Sequence, residues 1–129
     1  DDKKIAVSTD LGMVTPMVRQ AVGGCDLVLL ESNYDRNMLM AGFYPYPLKR
    51  RIDGVCGHLS NLDCAAFLPE LVQSGTRQIV LGHLSRENNL PSLALETSVS
   101  SLMQAGMQRD RDYQLEVAPR YEPGRMIRL

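Results

Sequence analysis

The chain has 129 residues, 44% of them hydrophobic and 22% charged, with a formal net charge of −1. That length fits one domain, and the apolar share supports a core without disulfide or metal staples. The near-neutral balance gives no chain-wide nucleic-acid footprint, the three cysteines form no CxxC pair and so argue against a zinc ribbon or a disulfide scaffold, and no apolar run is long enough to cross a bilayer.

The chain opens Asp1-Asp2-Lys3-Lys4, with no initiator methionine and no signal-peptide pattern, and passes directly into a strand-like run. A fragment of a longer cytoplasmic protein, with no membrane partner, is the expectation. Ile5 to Thr9 is short and β-rich and ends at Asp10. Thr15-Pro16 places an N-cap before a proline at the first helical position, and the helix carrying Met17, Val18, Ala21 and Val22 stops at Gly23-Gly24. Leu27 to Leu30 is a continuous apolar run, as expected of a strand covered on both faces.

Asn33 to Met40 predicts a short helix. Phe43 to Pro47 is expected to be extended or turning, because each proline disfavours helix at the residue before it. Leu48 to Ile52 predicts a helical turn. Ser60-Asn61-Leu62-Asp63 has the pattern of a capping box and opens a helix that ends at Gly75. Gln78 to Leu81 predicts a buried strand. Pro91 to Ala105 predicts a helix stopped by Gly106 and capped by Asn88-Asn89. Tyr113 to Ala118 and Arg125 to Leu129 predict a closing hairpin around Pro123-Gly124. Strands alternating with helices mean an α/β or layered α+β sheet in one domain spanning residues 1–129.

Asp10, Glu31 and His83 each follow an apolar strand, and His58 precedes a capped helix. Ligands of a parallel sheet bind at the carboxyl ends of the strands, so this placement brings the first three to one edge. Two carboxylates and two imidazoles there can hold a divalent metal or run acid–base chemistry. The two histidines sit in an internal echo, Gly57-His58-Leu59-Ser60 and Gly82-His83-Leu84-Ser85. The plainer reading stands beside this one: Asp10 as a turn former, Glu31 as a strand-end charge, and each histidine as part of a turn whose serine caps a helix. Lys49-Arg50-Arg51 and Arg109, Arg111, Arg120, Arg125 and Arg128 read as solvated faces or as phosphate contacts. No phosphate-binding glycine loop or serine-hydrolase elbow is present.

Asp10-Leu11-Gly12 after a strand resembles the Asp-x-Gly element of the metallo-β-lactamase superfamily. Leu29-Leu30-Glu31-Ser32-Asn33-Tyr34-Asp35 resembles an element of its YycJ-type branch (also called WalJ or VicX). Gly42 to Lys49, Gly57 to Asn61 and His83 to Asn89 continue the resemblance, which runs roughly from Ile5 to Pro91. It implies the C-terminal half of a four-layer αββα sandwich with its site at one edge between two sheets. The site would hold two divalent ions, zinc or manganese. Asp10 would bridge the metals, His83 would be the last histidine ligand, and Glu31 and His58 would relay protons to the leaving group. The implied activity is a nuclease, 5′ to 3′ exonuclease-like, with a metal-activated hydroxide attacking a nucleic-acid phosphodiester. A thioester or lactam hydrolase is the alternative on the same fold, and a non-catalytic binding or self-associating half-domain is the alternative outside enzymes.

The resemblance is incomplete. The family's His-x-His-x-Asp-His cluster and a further histidine ahead of the Asp-x-Gly element are absent. A catalytic zinc site needs about three protein ligands, so this chain alone is expected to bind metal weakly and to be inactive. Half a sandwich also exposes a sheet face, and self-association as a homo-oligomer through that face is the expected consequence.

Overall fold

The computed structural model describes residues 2–129. Nine elements follow in order: β1 (Ile5–Ser8), α1 (Pro16–Val22), β2 (Leu27–Glu31), α2 (Arg36–Ala41), α3 (Tyr46–Ile52), α4 (Asn61–Ser74), β3 (Gln78–Gly82), α5 (Pro91–Gln104) and β4 (Gln114–Val117). The four strands form one sheet in the order β1-β2-β3-β4, and every neighbouring pair is parallel. The chain therefore has the α/β layered class expected of it. Its three crossovers all step in the same direction across the sheet. Right-handed crossovers then put their helices on one face.

Burial confirms that placement. Val28, Leu30, Ile79, Leu81 and Leu115 alternate along their strands, and all are buried against Val22 of α1, Phe67, Leu68 and Leu71 of α4, and Ala94 and Leu102 of α5. Fully burying such a side chain contributes about 1.5–3 kcal/mol. The opposite face carries Ile5, Leu27 and Gln78 in one row and Val7, Leu29 and Val80 in the next. Among the described residues no helix of the core cluster packs on it, and Ile5 and Val7 are 61% and 69% exposed. Parallel sheets are ordinarily covered on both faces, so an open apolar face is unusual.

Local chemistry sets most boundaries. Thr15 accepts from the backbone N–H of Val18 at 3.2 Å and opens α1, and Ser60 accepts from that of Asp63 at 3.0 Å and opens α4. Gly75, at φ +116°, closes α4. Pro69 lies inside α4 and cannot donate to the Ala65 carbonyl one turn back. The hydroxyl of Ser101 on α5 donates to that carbonyl at 2.8 Å, which satisfies the freed acceptor and joins the two helices.

Four expectations need correction. The helix expected from Asn33 begins at Arg36, because Asp35 caps it and residues 32–34 continue the line of β2. The N–H of Asn33 donates to the Leu59 carbonyl at 2.8 Å, and the N–H of Asn61 donates to that of Tyr34 at 2.8 Å. Tyr46 is helical although a proline follows it, so the steric bias of Pro47 against its predecessor is overcome in the first turn, where the proline's missing N–H breaks no helical hydrogen bond. Asn88 and Asn89 do not cap α5 through helix N–H groups; both are buried and Leu90 is the cap residue. The closing hairpin is absent: β4 runs parallel to β3, and residues 125–129 form no strand. Arg125 instead reaches Glu116 of β4 through its side chain at 2.8 Å.

Candidate functional site

The sequence-predicted residues meet at the carboxyl ends of the strands. Asp10 lies two residues beyond β1, Glu31 ends β2, His83 follows β3 directly, and His58 arrives on the segment between α3 and α4. One ligand atom from each of the four lies within 4.8 Å of the others. The centroids of the two imidazoles are 5.3 Å apart, with the rings tilted by 53°.

Glu31 is the hub. Its side chain is fully buried, yet the imidazoles beside it are 33% and 43% exposed and Asp10 is 75% exposed. Oε1 accepts from the backbone N–H of Leu11 at 2.8 Å. Oε2 lies 2.7 Å from Nδ1 of His58 and 2.6 Å from Nδ1 of His83. Two atoms sharing a tetrahedral ion at about 2.1 Å would stand roughly 3.4 Å apart. The shorter separations are hydrogen-bond lengths, so Glu31 accepts an N–H from each ring. That selects the tautomer in which a neutral ring carries its lone pair on Nε2. Asp10 Oδ1 stands 3.9 Å and 3.8 Å from the same two nitrogens, outside hydrogen-bond range, and is free for another partner.

Backbone geometry is unusual at the same place. Asp10 and His83 adopt φ of +58° and +57°, two of the three non-glycine residues with positive φ among those described. Such conformations cost free energy in L-residues and concentrate where function requires a particular orientation. His83 is held there by Asn33, whose side-chain amide donates to the His83 carbonyl at 2.7 Å, while the N–H of Ser85 donates to the Asn33 carbonyl at 2.7 Å. His58 is set by close approach. An added Cβ on Gly57 would fall 2.2 Å from the carbonyl oxygens of Arg51 and Ile52, so only glycine lets the loop turn back onto the end of α3. That end is anchored by Asp53, which accepts from the buried Tyr34 hydroxyl at 2.6 Å and pairs with Arg36 at 2.9 Å.

Sequence reasoning missed the support beneath the site. The Ser32 hydroxyl donates to Asn61 Oδ1 at 2.7 Å, the Asn61 amide donates to Asn89 Oδ1 at 2.8 Å, and the Asn89 amide donates to the Ser32 carbonyl at 2.9 Å. These buried side chains tie the residue after Glu31 to the start of α4 and the start of α5. The echoed Gly-His-Leu-Ser units were the available signal. Ser60 caps a helix with its hydroxyl, and Ser85 makes the same bond to Asn88 N at 3.1 Å within a turn. The basic residues are largely engaged: Lys49 donates to the Met40 and Gly42 carbonyls at 2.7 Å, and Arg109 to the Leu115 carbonyl at 2.7 Å.

The fold and the cluster define an α/β domain with two imidazoles and two carboxylates at the carboxyl edge of a parallel sheet. Such a donor set suits a divalent ion, with Asp10 and the two Nε2 atoms as candidate ligands and Glu31 as the carboxylate behind the rings. The chain is 41% identical over 107 residues to the exodeoxyribonuclease WalJ of Streptococcus pneumoniae, in strains D39 and R6 alike, which covers 83% of this chain and 40% of that protein. It is 36% identical over 104 residues to the exodeoxyribonuclease YycJ of Bacillus anthracis, covering 81% of this chain and 39% of the relative. Over most of its length the chain is thus similar to curated proteins named exodeoxyribonuclease WalJ and YycJ. It spans about 40% of the length of those relatives. No protein-family profile matches it, and no solved structure does.

Proposed function

We propose that this chain carries part of the site of a metal-dependent phosphodiesterase, an exodeoxyribonuclease that works in the 5′ to 3′ direction on DNA. The observation that carries the reading is the fully buried Glu31 carboxylate accepting from both imidazoles at 2.7 and 2.6 Å. A carboxylate behind a histidine raises its basicity and fixes its orientation, as behind metal-ligating histidines. Asp10 and His83 act as ligands to two divalent ions, zinc or manganese. His58 shares the same carboxylate and stands beside His83, which suits it to hand a proton to the leaving oxygen. When bound, the ions would neutralise the phosphate and activate the attacking water. The names of the relatives support a DNA substrate.

The chain forms, in this reading, the C-terminal half of an αββα sandwich, and the second half seats on the face of Ile5, Val7, Leu29 and Val80. Alone, the chain self-associates through that face. A folded chain that stays monomeric across a concentration series would remove this part of the reading.

The test compares this chain with the full-length protein for metal content and for degradation of 5′-phosphorylated DNA with manganese added. The expected result is that the full-length protein holds about two ions and degrades DNA. Asp10→Ala and His83→Ala then lose both properties, and the short chain does neither. Tight metal binding and turnover by the short chain would overturn the claim that its ligand set is partial.

A further inference from the structure

Beside His83 lies an open cleft of about 580 Å³, walled by His83, Arg86, Pro91, Val117, Arg120 and Tyr121 among others. We propose that it is the subsite for one nucleotide of single-stranded DNA, with the base stacked on Tyr121 and its phosphate held by Arg86 and Arg120. The inference rests on the nuclease reading and extends it to how the strand is held next to the site.

Three observations point to that ligand. The first is charge. The lining holds two arginines and an imidazole and no carboxylate, whereas three other charged clefts combine their arginines with Asp63, Asp110 or Asp112. A cleft of one sign with apolar walls attracts an anion. The second is the platform. Tyr121 is 78% exposed, and the Arg86 guanidinium sits 5.7 Å from its ring centroid, so an aromatic face and a cation are presented together. Proteins that bind single strands use that pairing, because every base has a stacking face and every nucleotide a phosphate. The third is rigidity. Arg120 donates to the Leu84 carbonyl at 2.8 Å, which ties the segment after β4 to the residue next to His83. A guanidinium has five N–H donors, so this contact leaves others for a phosphate. The volume lies within the range of about 300–1,000 Å³ common to small-ligand sites.

The test measures binding of a labelled 5′-phosphorylated single-stranded oligonucleotide to the full-length protein by fluorescence anisotropy, without added metal. A single abasic nucleotide is placed at each position of the oligonucleotide in turn. One position should weaken binding about five- to 150-fold, the range for loss of one stacked base. Tyr121→Ala should weaken the intact oligonucleotide to the same extent and abolish sensitivity at that position, while Tyr121→Phe should keep both. Arg86→Gln should lower the slope of log affinity against log salt by about 0.7, the contribution of one phosphate contact to a single strand. Tyr121→Ala that binds within twofold of the parent, or that keeps the abasic penalty, overturns the proposal. Hydrolysis of bis(p-nitrophenyl) phosphate, measured alongside, separates the two readings. Stacking without hydrolysis leaves the subsite standing and removes the catalytic reading; hydrolysis without a Tyr121-dependent abasic effect does the reverse.

Discussion

Replacing Glu31 by glutamine keeps its shape and removes its ability to accept everywhere. The carboxylate takes one donor on Oε1 and two on Oε2. An amide has a single acceptor oxygen. With that oxygen toward the imidazoles, the NH2 confronts the Leu11 N–H; with it toward Leu11, the NH2 can only donate, and each imidazole must take its other tautomer to accept. Hydrogen bonds to charged groups contribute about 1.5–3 kcal/mol, and a buried donor left unpaired costs about 1–3 kcal/mol. Two effects work the other way. The imidazoles are 33% and 43% exposed, so water replaces part of what they lose. A neutral amide also escapes the desolvation cost of a buried carboxylate. The net expectation is a loss of about 1–3 kcal/mol, a sizeable share of the roughly 5–15 kcal/mol that stabilises a typical domain. Urea unfolding should show it as a midpoint lowered by about 1 M, given slopes of about 1–3 kcal/mol per molar. Zinc or manganese affinity of the full-length protein should fall about 10- to 100-fold, as when a carboxylate behind a ligating histidine is lost. A glutamine variant as stable as its parent and equally avid for metal would refute the reasoning, because Glu31 would then be neither clamp nor support.

Asp10 is an exposed residue at positive φ, so Asp10→Gly should leave stability unchanged or raise it by up to about 1 kcal/mol, while metal binding is lost; thermal unfolding and metal titration together read out this split. Gly57→Ala forces a Cβ onto the Arg51 and Ile52 carbonyls and should shift His58 off Glu31, visible as a changed His58 imidazole nitrogen resonance and a stability loss of about 1–3 kcal/mol. Burial pushes the Cys64 thiol up to about 12, and Cys25 is buried too, so a thiol reagent at neutral pH should label the exposed Cys56 and reach the others only on unfolding. Burial, then the hydrogen bond to Asp53, raises the Tyr34 hydroxyl well above its ordinary 10.0. A group raised in the folded state contributes stability that is complete below the unfolded value and declines as pH rises toward the folded one. Stability should therefore fall above about pH 10 by at most about 1.4 kcal/mol per pH unit from this group, and Tyr34→Phe should flatten that decline in urea titrations.

What the sequence made legible was what a short window decides. The apolar runs at residues 5–9, 27–30 and 78–81 are strands, and Thr15 and Ser60 cap the helices expected of them. Placement of polar residues after those runs was enough to bring Asp10, Glu31 and His83 to one edge, since a parallel sheet ends all its strands together. The parallel pairing of β4 was not legible. Pro123-Gly124 is a local hairpin signal, whereas the pairing of Gln114–Val117 with β3 depends on where α5 returns the chain. Nor was it legible that the left-handed positions belong to Asp10 and His83 while glycines stand close by. Gly12 is reserved for close approach, since its Cβ would fall 2.0 Å from the Val55 carbonyl oxygen, and a Cβ on Gly82 would press into Leu29.

Strand alternation links the site to the open face. Glu31 has the parity of Leu27 and Leu29 and pairs in register with Gly82, which has the parity of Gln78 and Val80. Its side chain therefore leaves the sheet on the side away from the helices, one row beyond Val7, Leu29 and Val80. Whatever covers that apolar face also stands next to the Glu31 hub and the two imidazoles it holds. In the proposed reading, ligands that this chain does not carry would be supplied by the same body that removes Ile5 and Val7 from water. Metal affinity and burial of the face should accordingly appear together as one property of the assembled protein.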